Sequence, residues 1–105
     1  MKICIFGAGS IGGYLGVQLA HAGFDVSVVA RRKNLDEIRS KGLTLEIGGE
    51  VRNVRVKASD RPAELGPQDF VIVALKSHQA WEAVEHFKPL LGPETAVVTA
   101  QNGVP

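Results

Sequence analysis

An apolar run, Ile3 to Phe6, leads directly into Gly7-x-Gly9-x-x-Gly12, and an amphipathic segment follows at once. Strand, tight turn and helix in that order leave a chain few folds to choose from. Gly7 lets the backbone turn sharply out of the strand. Gly9 presents a backbone with no side chain, and Gly12 lets the helix pack closely on the sheet. Free N–H groups at the start of that helix, together with its dipole, favour a negative ligand. Gly7, Ala8, Gly9, Ser10, Ile11 and Gly12 are therefore candidate residues for holding the pyrophosphate of a dinucleotide. The bare alternative is a glycine-rich turn with no ligand, which a strand before it and a helix after it make the weaker reading. Two further glycines, Gly13 and Gly16, are expected to serve close helix packing.

The rest of the chain alternates between apolar runs and helical periodicity. Residues 2–6 read as a buried strand and 10–22 as a helix with Ile11, Leu15, Leu19 and Ala22 at helical spacing. Gly23 closes that helix, and a valine-rich strand occupies 24–30. Two parallel strands joined by such a helix form a βαβ unit. A short helix follows at 34–41, closed by Gly42. The period then switches to two: Leu43, Leu45 and Ile47, then Gly48-Gly49, then 51–56, which predicts a β-hairpin on a two-residue glycine turn. Residues 57–68 are polar, with a single helical turn expected at Pro62 and Asp60 as its cap. Residues 69–75 read as a buried strand and 77–91 as a helix with Ala80, Trp81, Val84 and Phe87 inward. A last strand is expected at 95–100. The pattern predicts an α/β, Rossmann-like domain over 1–105: a mainly parallel sheet, helices on both faces and an inserted β-hairpin.

The end of the second strand bears on which dinucleotide is bound. An NAD site places Asp or Glu about 20 residues after the glycines, to accept bonds from the ribose 2′-hydroxyl. This chain has Ala30-Arg31-Arg32-Lys33 there. A carboxylate would repel a 2′-phosphate, whereas a guanidinium grips one with paired, charge-assisted bonds. NADP is favoured over NAD, with Arg31 as the phosphate contact; solvated basic residues on a loop are the alternative, chiefly for Arg32 and Lys33.

Ligands of open α/β sheets bind outside the carboxyl ends of the strands. The strand at 69–75 delivers Lys76 with Ser77, His78 and Gln79, and the last strand delivers Gln101 and Asn102. An ammonium and an amide so placed can orient a nicotinamide and a carbonyl or carboxylate substrate. An ordinary reading stands beside this one: a solvated Lys76, Ser77 as a helix cap and Asn102-Gly103 as a turn.

Composition excludes other classes. A chain of 105 residues, 45% hydrophobic, makes one domain at most. A net charge of +1 gives no basic excess for nucleic acid. No apolar stretch is long enough to span a bilayer, and no signal peptide is visible. The single cysteine, Cys4, rules out an internal disulfide and suits a reducing, cytoplasmic setting; it is expected to be a buried strand residue. His21, His78 and His86 do not combine with it into a metal site, so no metal is expected. Hydrolase and P-loop signatures are lacking.

Four blocks together, Gly7 to Gly16, Ala30-Arg31-Arg32, Ala74-Leu-Lys76-Ser-His-Gln79 and Gln101-Asn102-Gly103-Val104, resemble the amino-terminal domain of the ketopantoate reductases (2-dehydropantoate 2-reductases) along the whole chain. The glycine block is common to many dehydrogenases; the Lys76 to Gln79 block with Asn102-Gly103 is much more specific. The resemblance implies NADPH-dependent reduction of the ketone of ketopantoate, a step toward pantothenate and coenzyme A. It implies that residues 7–12 hold the pyrophosphate and Arg31 the 2′-phosphate. Lys76 and Asn102 would then lie beside nicotinamide and substrate as catalytic residues, and Gln79 would line the cofactor side. Family members carry a helical carboxyl-terminal domain with the lysine that protonates the new alkoxide. Residues 1–105 are accordingly expected to be a truncated nucleotide domain, inactive alone toward ketopantoate. Its last strand should be an apolar edge open to self-association. Two rivals stay open at this point: a dehydrogenase of another 2-keto or hydroxy acid, and a non-catalytic nucleotide-binding module.

Overall fold

The computed structural model describes residues 1–7, 10–74, 86 and 88–99. Strand β1 (Lys2–Phe6) runs into helix α1 (Ser10–His21), and β2 (Asp25–Val29) follows. Helix α2 (Arg32–Lys41) leads to a hairpin, β3 (Leu43–Ile47) and β4 (Glu50–Val54). Among the described residues, strand β5 (Lys57–Ser59), helix α3 (Pro62–Leu65), β6 (Gln68–Val73), a 3₁₀ turn (Lys88–Leu90) and β7 (Leu91–Thr99) follow. The main sheet is five-stranded in the order β5-β2-β1-β6-β7, and every neighbouring pair is parallel. The hairpin forms a separate two-stranded sheet. The expected Rossmann-like, mainly parallel sheet is what forms.

β1 lies at the centre of the sheet because apolar side chains on both its faces can be buried there. Ile5, fully buried, joins Val17 of α1, Val26 and Val28 of β2, and Leu35 and Ile38 of α2 on one face. Cys4 and Phe6 join Val29, Val71, Val73 and Leu90 on the other, with Leu65 of α3 packed against them. This near-continuous burial is what a parallel strand covered on both sides requires.

α1 packs by its glycines rather than by its leucines. Gly12, Gly16 and Val17 are buried, whereas Leu15 and Leu19 are only partly so, and Ala22 is exposed beyond the helix end. A side chain at Gly16 would meet Leu43 Cδ1 at 2.7 Å and Ile5 Cδ1 at 3.3 Å, so the helix touches both sheet and hairpin there. Gly13 departs from the expectation of close packing: nothing lies within 4 Å of a Cβ built on it.

The hairpin turns on Gly48 (φ +57°) and Gly49 (φ +82°), the left-handed pair that a two-residue turn with native twist needs. It braces two helices. Arg52 Nη1 donates to Gln18 Oε1 of α1 at 2.8 Å. Asn53 Nδ2 donates to Lys41 O at 2.8 Å and Arg55 Nη1 to Ser40 O at 2.9 Å, so the open carbonyls at the α2 carboxyl end are satisfied by the hairpin.

Several features differ from the sequence expectation. α2 begins two residues early, at Arg32. β5 is a short edge strand that its polar sequence conceals; it carries Lys57, and only Ser59 is fully buried. Arg61, not Asp60, stands at the N-cap position of the turn at Pro62, and it makes no side-chain cap bond. β7 starts at Leu91, not at 95, through an irregularity in its pairing with β6 between Gln68 and Phe70. There Thr95 Oγ1 accepts from Gly92 N at 2.6 Å and donates to Gln68 O at 2.5 Å, and regular pairing resumes at Phe70↔Ala96. Most of the helix expected at 77–91 lies outside the described residues; its end does not, because Lys88–Leu90 form a 3₁₀ turn and Leu91 is already strand. β7 is the outer strand of the sheet, with Val97 and Val98 exposed.

Candidate functional site

The carboxyl ends of β1, β2, β5, β6 and β7 all meet one edge of the sheet, because every pairing is parallel. Phe6 is in register with Val29 on one side and with Val73 on the other, and Val73 with Thr99. The loops that leave these positions carry the sequence candidates.

At β1, Gly7 adopts φ +102°, a conformation costly for any residue with a side chain. Its N–H donates to Val29 O at 3.1 Å, and Phe6 O accepts from Ala74 N at 3.0 Å, so the turn is tied to both neighbouring strands. Gly12, at the start of α1, packs against this turn. A Cβ there would collide with the carbonyl oxygen of Gly7 and sit 3.3 Å from Ile5 Cγ2. The helix start therefore lies directly over the turn, a cradle that only glycines allow. Close approach of the helix start to the strand end is one requirement of a pyrophosphate-binding loop. Ala8 and Gly9 lie outside the described residues; Ser10 and Ile11 form the first turn of α1.

At β2, the chain leaves through Ala30, whose N–H donates to Ser59 O at 3.1 Å. Arg31 is the last extended residue (φ −133°, ψ 153°) and the N-cap of α2. Arg32 then takes φ +55°, the left-handed region that a side chain disfavours, and turns the chain into the helix. The first turn of α2 holds no acidic residue. Arg31, Arg32 and Lys33 are all exposed at a helix amino terminus, where the dipole repels cations. None of the three forms an ion pair among the described residues, whose salt bridge is Arg52 to Glu50 at 3.7 Å. Strain and charge repulsion meet at one corner, and a bound anion would relieve the repulsion.

At β6 and β7, the paired ends Val73 and Thr99 lie at the same edge. Lys76 and Asn102 each stand three residues beyond that pair in sequence. Lys76, Gln79 and Asn102 themselves lie outside the described residues, as do His78 and Gln101.

One feature escaped the sequence reading. Ser59, 2% exposed, organises the corner after β5: its Oγ accepts from Arg61 N at 3.0 Å and donates to Glu64 Oε2 at 2.7 Å. A serine two residues before a helix cap was the available signal, hidden because β5 has no apolar alternation. Cys4 is fully buried in β1, as expected. Burial pushes its thiol from the usual 9.0 up to about 11, with the Ser27 hydroxyl pulling weakly the other way. It is a core side chain and stands apart from the loops of the site. Among the described residues, no helix is long and apolar enough to cross a membrane.

Known proteins share this sequence pattern and fold. The sequence model of the family described as "Ketopantoate reductase PanE/ApbA" matches residues 3–105. A 2-dehydropantoate 2-reductase of Mesorhizobium japonicum is 52% identical over 106 residues, covering 100% of this chain and 32% of that protein. The 2-dehydropantoate 2-reductase of Pyrococcus abyssi is 38% identical over 104 residues, covering 99% of this chain and 34% of that protein. Among solved structures, a PanE/ApbA family ketopantoate reductase from Ralstonia eutropha JMP134 superimposes with a TM-score of 0.89 at 37% identity. That match covers 98% of this chain and 35% of the other. The chain thus spans about a third of the length of the curated relatives it matches.

Proposed function

The chain belongs to the ketopantoate reductase family, and we propose that residues 1–105 are the NADP-binding part of an oxidoreductase that reduces ketopantoate to pantoate. The observation that carries this reading is the pair of corners at one sheet edge. Gly12 packs directly over the turn at Gly7, and Arg31 stands unpaired among the described residues at the end of β2. The first suits a pyrophosphate. The second suits a ribose 2′-phosphate, which a carboxylate in that place would repel.

The reduced nicotinamide supplies a hydride to the ketone carbon when bound. The chain's own residues bind and orient. Residues 7–12 hold the pyrophosphate and Arg31 the 2′-phosphate, which fixes how far along the edge the nicotinamide reaches. In sequence, Lys76 and Asn102 each come three residues after the paired ends of β6 and β7. Their ammonium and amide serve to orient the substrate carbonyl and the nicotinamide amide, with Gln79 lining the cofactor side. A reducing, cytoplasmic setting belongs to this reading, as does pairing through the exposed apolar side chains of β7.

The test is the affinity of the wild type and of Arg31→Ala for NADPH and NADH, by calorimetry. A charge-assisted hydrogen bond contributes about 1.5–3 kcal/mol. Arg31→Ala should therefore weaken NADPH by roughly 10- to 100-fold and leave NADH within about twofold. A wild type that binds NADH as tightly as NADPH, or an Arg31→Ala protein with unchanged NADPH affinity, overturns the assignment.

A further inference from the structure

We propose that Arg61, at the end of β5, is a second cationic arm for the ribose 2′-phosphate and a determinant of NADPH-over-NADH selectivity. The inference rests on the nucleotide reading above. It begins from a repeated arrangement on two neighbouring strands. β2 and β5 are parallel, with Val29 in register with Ser59. Each ends in an arginine two residues beyond that pair. Each arginine is the last extended residue and the N-cap of the helix that follows: Arg31 at φ −133° and ψ 153°, Arg61 at φ −116° and ψ 100°. Neighbouring strands lie about 4.8 Å apart, so two such corners bring their side chains within reach of one small ligand.

Two observations point to an anion shared between them. Both side chains are exposed, and among the described residues neither has an ionic partner. The corner that carries Arg61 is fixed by its own backbone: the N–H donates to Ser59 Oγ at 3.0 Å, and the carbonyl accepts from Glu64 N at 3.0 Å. Glu64, an acid next to this corner, is engaged by the Ser59 hydroxyl at 2.7 Å. The local charge is set by Arg31, Arg32, Lys33 and Arg61 against the exposed Asp60 and Glu64, the latter keeping its charge while it accepts the Ser59 hydroxyl.

The chemistry of the ligand calls for more than one arginine. A phosphate monoester carries close to two negative charges at pH 7 on three terminal oxygens. One guanidinium takes two of those oxygens in a bidentate pair. The third oxygen and the residual charge are left for a second cation. Arg61 is well placed to be that cation because it comes from a different strand. Arg32 and Lys33 are already in the first turn of α2.

The experiment measures binding of four probes, NADPH, NADH, 2′,5′-ADP and 5′-AMP, to the wild type, Arg31→Ala, Arg61→Ala and Arg61→Lys. Arg61→Ala should weaken NADPH and 2′,5′-ADP by about fivefold, the scale of an exposed charge pair, and leave NADH and 5′-AMP within about twofold. Arg61→Lys should recover part of the loss. The melting temperature of Arg61→Ala should match the wild type, because only the backbone of Arg61 holds the corner. If Arg31→Ala abolishes the preference for NADPH while Arg61→Ala leaves it intact, the second arm is refuted and the nucleotide reading stands. Equal weakening of all four probes by Arg61→Ala refutes it as well, since the effect is then general charge. A wild type with no preference between NADPH and NADH removes the nucleotide reading, and this inference with it.

Discussion

Gly12 and Gly13 are adjacent in the same helix, and the same substitution should act on them in opposite directions. In Gly12→Ala, the new methyl group meets the carbonyl oxygen of Gly7, with Gly7 C and Ile5 Cγ2 each at 3.3 Å. That carbonyl cannot retreat easily, because Gly7 N is bonded to Val29 O at 3.1 Å and Phe6 O to Ala74 N at 3.0 Å. Forcing a methylene into a tight contact costs about 1–3 kcal/mol, and a rigid backbone neighbour puts Gly12 at the upper end. Helix propensity returns about 1 kcal/mol, so the net loss is about 2 kcal/mol, or roughly 10 °C in melting temperature. In Gly13→Ala, the methyl group meets nothing within 4 Å. Only the propensity gain remains, up to about 1 kcal/mol, which should raise the melting temperature by about 5 °C. Urea denaturation gives both differences directly, and an NADPH titration should show a loss of at least about tenfold for Gly12→Ala, since the turn over which a pyrophosphate would lie has to shift. A Gly12→Ala protein with a wild-type midpoint, or a Gly13→Ala protein as destabilised as Gly12→Ala, would falsify the close-approach argument.

Two further outcomes are expected. Ser59→Ala removes a buried hydroxyl that serves both Arg61 N and Glu64 Oε2, and should lower unfolding free energy by about 1–2 kcal/mol in urea melts; a change below about 0.3 kcal/mol would mean water replaces both bonds. For Cys4, the folded state holds its proton more tightly than the unfolded state. Its contribution is thus complete below pH 9 and declines as pH rises toward about 11. The slope is about 1.4 kcal/mol per pH unit in that window. Urea midpoints measured from pH 8 to 10.5 should fall more steeply for the wild type than for Cys4→Ala, and parallel curves would exclude a buried neutral thiol.

The strands of the core were readable because parallel strands buried on both faces become continuous apolar runs. Ile3 to Phe6, Val26 to Val29 and Val71 to Val73 all form strand where those runs place them. The hairpin was readable for a different reason: alternation and a Gly-Gly turn are both local. β5 was not readable, because three residues on a sheet edge need no apolar pattern. The early start of β7 was hidden by Gly92 and Pro93, and depends on a hydroxyl bond from Thr95 to a strand distant in sequence. In α1 the apolar spacing was readable but its burial was not: Leu15 and Leu19 are only partly buried and Ala22 is exposed, because the helix approaches the sheet through Gly12 and Gly16.

The glycine loop and Arg31 were legible as candidates in the sequence alone, since each is a local signal: a turn that excludes side chains, and a cation where a dinucleotide site for NAD would carry an acid. Tertiary structure decided what stands beside them. The close packing expected at Gly12 acquired its partner, the Gly7 carbonyl, and the packing expected at Gly13 did not form, since nothing lies within 4 Å of a Cβ there. Arg61 gained a meaning only when β5 paired with β2, because a residue 30 positions away in sequence can share a ligand with Arg31 only if hydrogen bonds bring the two strand ends to one edge.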